Sequence, residues 1–223
     1  MRHRLLVLAA IALGSLSAAA PAHTAQGGFG RRPVFFNDSV NVERLLMIPG
    51  AGEAPHTHGY PMVVVQLTSG EAEMQNGDAK TKGARTPGTV DFIASNATHA
   101  AINVGPVPFE VLTIAINPER LRGGAAPPTP PPAGVTRTPI VDNTDTTVTR
   151  LEFAPAAREP VHMHPYDLVV VPLTTSRVEI QVGNEKETKT LTPGDAFFIP
   201  RFEPHAVANI GPEKLTVLGV VIK

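Results

Sequence analysis

The sequence predicts an all-β protein made of two small barrels in tandem. A shift of 106 residues aligns segment 37–117 with segment 143–223 without a gap, so one structural unit occurs twice. Short runs of β-branched and apolar residues alternate with Gly- and Pro-containing corners, a spacing typical of sandwiches and barrels. Neither repeat contains a segment with the 3.6-residue apolar period of an amphipathic helix.

Each repeat divides into short predicted strands. Aromatic residues make up only 5% of the chain, so valine, isoleucine and leucine must fill most of each barrel interior. The second repeat follows the first at the same offset. In the first repeat the predicted strands cover residues 40–48, 60–68, 71–75, 89–93, 99–104 and 109–116.

The segments outside the repeats have compositions of their own. Residues 1–22 are typical of a signal peptide, with a cationic start, a short apolar stretch and a possible cleavage site at Ala20-Pro21-Ala22. An uncleaved membrane anchor is the alternative. Residues 23–36 are interpreted as an arm, and the Pro- and Gly-rich residues 118–139 as a linker. The predicted barrel domains are therefore residues 37–117 and 140–223, in a soluble periplasmic or secreted protein.

Composition excludes several classes of function. The formal net charge is −1 without a long basic run, which argues against a nucleic-acid partner. The chain has no cysteine, and this excludes disulfides, thiolate metal sites and a cysteine nucleophile. A bound metal would therefore have only nitrogen or oxygen ligands.

Histidines are the residues of the repeat that point to chemistry. Residues i and i+2 of a strand share a face, so each His-x-His pair presents two imidazoles side by side, and a third histidine on a neighbouring strand can complete a site. Duplication of a structural scaffold explains the repeated valines and glycines, but a barrel does not need histidines. Three imidazoles bind a transition metal and leave positions open for other molecules. The two candidate sites are His56, His58 and His99, and, at the 106-residue offset, His162, His164 and His205.

Two motifs resemble those of the cupins, and specifically of the two-domain bicupins. The first reads Gly50, five residues, then His56-Thr57-His58, with Ala156 in place of the glycine in the second repeat. The second motif has Gly, His and Asn at matching spacings in both repeats. The resemblance implies two jelly-roll β-barrels, each with a metal held inside by its three histidines. The second-motif residues are Gly88, His99 and Asn103, and Gly194, His205 and Asn209.

One position departs from the cupin pattern. The glutamate that usually follows four residues after the second histidine is Met62 in one repeat and Leu168 in the other. Asp167 is expected to face away from the site and to pack the barrel or contact solvent, and a ligand role is the alternative. A site of three neutral imidazoles suits Fe(II), Cu, Zn or Ni better than Mn or Mg, and Fe(II) is the expected cofactor.

Two tyrosines are the candidate catalytic residues. Tyr60 and Tyr166 follow the second histidine of each pair by two residues, so strand parity points them toward the site. Each could pack in the core, or its hydroxyl could form a hydrogen bond with substrate or oxygen.

The resemblance implies a non-haem, metal-dependent dioxygenase that acts on a small organic molecule. The alternative is a non-catalytic exported protein that binds metal or a small ligand, and a third reading makes one barrel active and the other structural. The expected partners are a small-molecule substrate or ligand and further copies of the chain in a homo-oligomer. No nucleic acid is expected, and no membrane after signal cleavage.

Overall fold

A computed structural model describes residues 29–120 and 131–223. The predicted signal peptide and residues 121–130 of the predicted linker lie outside this part. The regular elements of the described chain are all β-strands. None of its segments forms a helix long and apolar enough to cross a membrane.

The first barrel consists of two facing sheets. One has the strand order β1-β2-β9-β4-β7 and the other β3-β8-β5-β6, and every pairing is antiparallel. The strands are β1 (Phe29–Phe36), β2 (Val40–Met47), β3 (Gly52–His56), β4 (Met62–Gln66), β5 (Gly70–Asn76), β6 (Ala79–Arg85), β7 (Val90–Ile93), β8 (His99–Asn103) and β9 (Phe109–Ile116).

The second barrel repeats this plan. Its sheets have the orders β10-β11-β17-β12-β15 and β14-β13-β16. The counterpart of β3 is reduced to two isolated bridges, Arg158 with Ala208 and His162 with His205. The strands are β10 (Val135–Asp142), β11 (Thr146–Phe153), β12 (Asp167–Pro172), β13 (Ser176–Val182), β14 (Glu185–Leu191), β15 (Phe197–Ile199), β16 (His205–Asn209) and β17 (Leu215–Ile222).

Strand alternation supplies an interior core for each barrel and a third core between them. In β4, Val64 faces the first barrel's interior, whereas Val63 and Val65 face the second barrel. In β12, Val170 faces inward and its two valine neighbours face the first barrel. These strands are apolar on both faces because both faces are buried.

Reciprocal arginine contacts join the two barrels. Arg44 of β2 donates a hydrogen bond to the carbonyl of Pro193 in the second barrel, at 2.8 Å. Its counterpart at the 106-residue offset, Arg150, donates to the carbonyl of Gly88 in the first barrel, at 3.2 Å. The barrels therefore pack with approximate twofold symmetry, as an isologous interface requires.

The domain boundaries in the structure differ from those expected from composition. Residues 29–36 of the expected arm form β1, and β10 begins at Val135 inside the expected linker. Both strands pair with the next strand of their own barrel over most of their length. Their prolines and charges obscured a strand pattern, because an edge strand tolerates both.

Candidate metal centres

The six predicted histidines form two compact groups. The ligand nitrogens within each group lie within 4.8 Å of one another. In the first barrel, His56 is the last residue of β3 and pairs with His99, the first residue of β8. His58 lies beyond the end of β3 and converges on the other two rings from the following turn.

The two groups have nearly the same geometry. The ring centroids of His56 and His99 are 4.2 Å apart, and those of His162 and His205 are 4.3 Å apart. The ring centroids of the second and third histidines, His58 with His99 and His164 with His205, are 4.7 Å apart in both groups. One local fold therefore holds three imidazoles in the same arrangement twice.

Backbone carbonyls fix the orientation of each ring. The Nδ1 atom of every histidine in the two groups contacts a carbonyl oxygen at 2.8–3.3 Å. A carbonyl only accepts a hydrogen bond, so Nδ1 carries the proton of the neutral ring and Nε2 keeps its lone pair. This is the usual arrangement around a histidine that binds metal. The carbonyls belong to Ala54, Tyr60, Ala97, Pro160, Tyr166 and Glu203.

Buried nitrogens without a protein partner support a metal-binding role. The Nε2 atoms of His58 and His99 are buried and have no hydrogen-bond partner. Such an orphaned acceptor costs free energy unless something else occupies it. A divalent transition metal fits the arrangement, because three converging imidazoles are the nitrogen ligands that it prefers.

Burial keeps several of these rings neutral. Desolvation lowers the pKa of His164 to about 4, and the neighbouring His205 contributes to the same shift. Burial also lowers the pKa of His205 and of His99. Protons therefore compete less strongly with metal for these nitrogens, because a metal binds the neutral ring.

The cavities beside the two groups differ in size and access. The second barrel contains a cavity of about 190 Å³ lined by all three of its histidines. The first barrel contains a cavity of about 40 Å³, and His99 is the one histidine among the described residues that line it. Methionines occupy much of the first interior, and an Arg85–Asp91 ion pair lies there as well.

Both tyrosines stack on the second histidine of their group. The ring centroids of Tyr60 and His58 are 4.0 Å apart, those of Tyr166 and His164 are 4.1 Å apart, and both pairs of rings are nearly parallel. Tyr166 lines the second cavity, whereas Tyr60 is 38% exposed and lies outside the lining of the first. Burial raises the pKa of Tyr166, so its hydroxyl stays protonated at neutral pH and can donate a hydrogen bond.

The positions of the missing glutamate line the cavities as apolar side chains. Met62 lines the first cavity and Leu168 the second. Asp167 lies on the opposite face of β12, is 4% exposed, and accepts hydrogen bonds from Ser39 at 2.6 Å and Arg201 at 2.8 Å. These contacts give Asp167 a packing role between the barrels rather than a place among the metal ligands.

The motif asparagines also have structural roles. Asn103 and Asn209 are fully buried, and each side-chain amide donates hydrogen bonds to the carbonyl at the end of β2 or β11 and to a carbonyl of the loop that follows the asparagine. Each side-chain oxygen accepts from the glycine two residues later. They fix the turn that follows the third histidine's strand.

Sequence reasoning missed one pair of residues in the second cavity. Glu159 and Arg137 both line it and form an ion pair at 2.8 Å. The signal was present, because Arg31 and Glu53 occupy the corresponding positions of the first repeat and also form an ion pair. Arg31 and Arg137 lie in segments that composition assigned to an arm and a linker.

Comparisons with known proteins agree with this architecture. A family model described as the Cupin domain matches residues 149–221. The Beta-alanine degradation protein BauB of Pseudomonas aeruginosa is 32% identical over 83 residues, which are 37% of this chain and 87% of that protein.

Solved structures share the fold over most of the chain. A formate complex of oxalate decarboxylase from Lactobacillus farciminis has a TM-score of 0.71 at 15% identity, covering 91% of this chain and 84% of that one. A mutant of the salicylate 1,2-dioxygenase from Pseudoaminobacter salicylatoxidans has a TM-score of 0.68 at 10% identity, covering 84% and 72%. With its repeated barrel and its two histidine groups, the chain belongs to the cupin superfamily, as a bicupin whose three-histidine sites lack the usual glutamate.

Proposed function

We propose that this bicupin is an exported, metal-dependent dioxygenase that acts on a small organic molecule in its second barrel. The observation that carries the proposal is the second cavity, where three histidines line a space of about 190 Å³. The cavity in the first barrel measures only about 40 Å³, so the second barrel offers much more room for a small substrate. Export rests on the signal-like residues 1–22.

The donor set suits Fe(II), among other transition metals, and favours an anionic substrate. Three neutral imidazoles leave the full charge of a divalent ion uncompensated, so an oxygen anion of the substrate is the complementary ligand. Bound at this site, the metal would supply Lewis acidity and, as Fe(II), the electrons for dioxygen chemistry. The salicylate 1,2-dioxygenase with the same fold catalyses a reaction of the proposed class.

The chain's own residues would exclude water and orient the substrate. Leu168, Phe197 and Val217 belong to the apolar lining, which favours an organic substrate over bulk water. The hydroxyl of Tyr166 would donate a hydrogen bond to substrate or oxygen next to His164.

The first barrel is proposed to hold metal without turnover. Its three histidines converge as closely as those of the second barrel. The cavity of about 40 Å³ is much smaller than that of the second barrel and is lined by only one of the three histidines. The alternative for the whole protein is non-catalytic binding of metal or a small ligand, and the small first cavity favours that role for the first barrel.

The test separates the two barrels. Purified protein is loaded anaerobically with Fe(II), Cu(II), Zn(II) or Ni(II), and oxygen uptake is followed with a panel of diketones and phenolic acids. We expect the wild-type protein to turn over with Fe(II). His164→Ala should lose both turnover and one bound metal ion. The matched variant His58→Ala should lose one bound metal ion but keep turnover.

Two outcomes contradict the proposal. Turnover that His58→Ala abolishes and His164→Ala leaves intact would place the reaction in the first barrel. Stable metal binding without oxygen uptake for any metal and substrate would favour the binding role. Circular dichroism of both variants checks that each remains folded.

A further inference from the structure

A buried carboxylate shares the second cavity with the histidines. Glu159 is 9% exposed and lines the same cavity as His162, His164 and His205. Within the described part of the chain, it is the single carboxylate in that lining. A charged group in apolar surroundings needs a partner, and Arg137 donates a hydrogen bond to it at 2.8 Å.

A β-bulge directs this carboxylate into the cavity. Residues three apart on a regular strand face opposite sides, so Glu159 and His162 would not meet by simple alternation. Arg158 bridges to Ala208, and His162 bridges to His205. Between these two bridges the chain advances four residues on the side of His162 but only three on the side of β16, so the first side contains one extra residue. The extra residue reverses the alternation and gives both side chains the same face.

The first barrel has a β-bulge at the corresponding position. Glu53 pairs with Ala101 and His56 pairs with His99, which again places one extra residue between the glutamate and the histidine. Glu53 lines the first cavity, although that cavity is much smaller. Glu53 thus provides a matched control for Glu159, on the same local backbone but without space for a substrate.

The polar groups of the second cavity lie together. Arg137, Glu159 and Tyr166 all line the second cavity, and the ring of Tyr166 stacks on that of His164 at a centroid distance of 4.1 Å. Much of the remaining wall is apolar, with Phe153, Leu168 and other aliphatic side chains. The cavity therefore combines the histidines and a few polar side chains with a largely apolar wall.

We propose that Glu159, held by Arg137, is the specificity-determining residue of the second barrel. Its carboxylate accepts a hydrogen bond from a hydroxyl or enol group of a substrate whose neighbouring oxygen binds at the histidines. The substrate class is a small molecule with an apolar body and a hydroxyl next to its metal-binding oxygen. This inference depends on the proposed site in the second barrel but not on turnover there.

The test measures binding to the Zn(II)-loaded protein, which does not react with oxygen. Isothermal titration compares salicylate with benzoate, and enolic 1,3-diketones with the corresponding monoketones. We expect the wild-type protein to prefer at least one hydroxyl-bearing partner by tenfold or more. Glu159→Leu should remove most of this preference, and Glu53→Leu should leave it unchanged. The zinc content should stay the same in both variants, because neither glutamate is proposed as a ligand.

Several outcomes overturn the inference. These are the absence of a hydroxyl preference in the wild type, a preference that survives Glu159→Leu, and an equal loss in Glu53→Leu. If Glu159→Leu does not fold, the double variant Arg137→Met with Glu159→Leu replaces the ion pair by apolar groups that suit the interior. Oxygen uptake distinguishes the two proposals. If the hydroxyl preference depends on Glu159 but no oxygen is consumed, only the proposed dioxygenase activity is contradicted. If oxygen is consumed but the preference does not depend on Glu159, only this inference is contradicted.

Discussion

Ala156 has a backbone conformation that favours glycine. Its φ is 65°, and Gly50 at the corresponding position of the first repeat has a φ of 78°. A side chain in this left-handed region costs about 1–2 kcal/mol, although glycine also increases the entropy of the unfolded chain. Both positions occur in the turn that precedes a His-x-His pair, and only the turn of the second barrel carries a side chain in this conformation.

We expect Ala156→Gly to raise the free energy of unfolding by about 0.5–1 kcal/mol, because relief of backbone strain exceeds the entropic cost. Gly50→Ala is the matched control and should lower it by a similar amount. A Cβ at Gly50 has no neighbouring atom within 4 Å, so its cost comes from the backbone alone. Urea unfolding measures both values, and a destabilised Ala156→Gly would contradict the argument.

His164 makes the stability of the metal-free protein depend on pH. Its folded-state pKa is lowered to about 4, below the usual value of about 6.5 in an unfolded chain. Between these values the unfolded state binds a proton that the folded state does not. Stability should therefore fall as the pH drops from about 6.5 toward 4, by up to about 1.4 kcal/mol per pH unit.

Chemical unfolding of the apo-protein at pH 7 and pH 5 measures this loss. His164→Ala should show a smaller difference between the two pH values, because the group that binds the extra proton is absent. Saturating zinc should increase the difference, because the metal keeps all three rings of the group unprotonated in the folded state while the unfolded chain still binds their protons. Equal pH dependence in the wild type and the variant would assign the loss to other groups.

At the scale of elements, Asp167 connects the start of β12 to the first barrel. Burial alone raises the pKa of Asp167, but the hydrogen bonds from Arg201 and Ser39 lower it by more, so the carboxylate stays charged. Ser39 directly precedes β2 and donates to this carboxylate across the barrel interface. The charge thus stabilises the junction of two elements on the face opposite to the cavity.

Asp167→Ala should destabilise the protein by about 1.5–3 kcal/mol, the range for hydrogen bonds to a charged group. Bound metal should remain at the wild-type level, because Asp167 lies outside both histidine groups. Urea unfolding and metal analysis test the two expectations separately. Loss of one metal equivalent at unchanged stability would instead support the ligand role that the sequence left open.

The predictability of the elements follows from their burial. All six strands predicted in each repeat have counterparts in the structure, because their buried residues form apolar, β-branched runs between Gly and Pro corners that are visible in the sequence. The exposed strand β6 was missed because its polar residues carry no such pattern. The bulge before His56 was missed because it breaks the period-two alternation, and this hid Glu53 and Glu159. The histidine groups were predictable because the repeat retains all six residues at one offset.

At the scale of the molecule, the two barrels share a core that neither could bury alone. Fourteen fully or almost fully buried aliphatic residues form one cluster, with eight from the first barrel and six from the second. Phe35 and Phe198 also contact each other across the interface, with their ring centroids 6.5 Å apart. Separation of the barrels would expose this apolar surface to water, so we expect them to unfold as one cooperative unit.

The two tyrosines allow this expectation to be tested, since each barrel contains one and the chain has no tryptophan. Tyr166→Phe leaves a fluorescent reporter in the first barrel, and Tyr60→Phe leaves one in the second. Leu218 is fully buried in the shared core, and Leu218→Ala should cost about 2–5 kcal/mol. Although the substitution lies in the second barrel, it should lower both midpoints of unfolding equally. A first-barrel reporter that keeps its original midpoint would show that the barrels unfold independently, and that the shared cluster does not couple them.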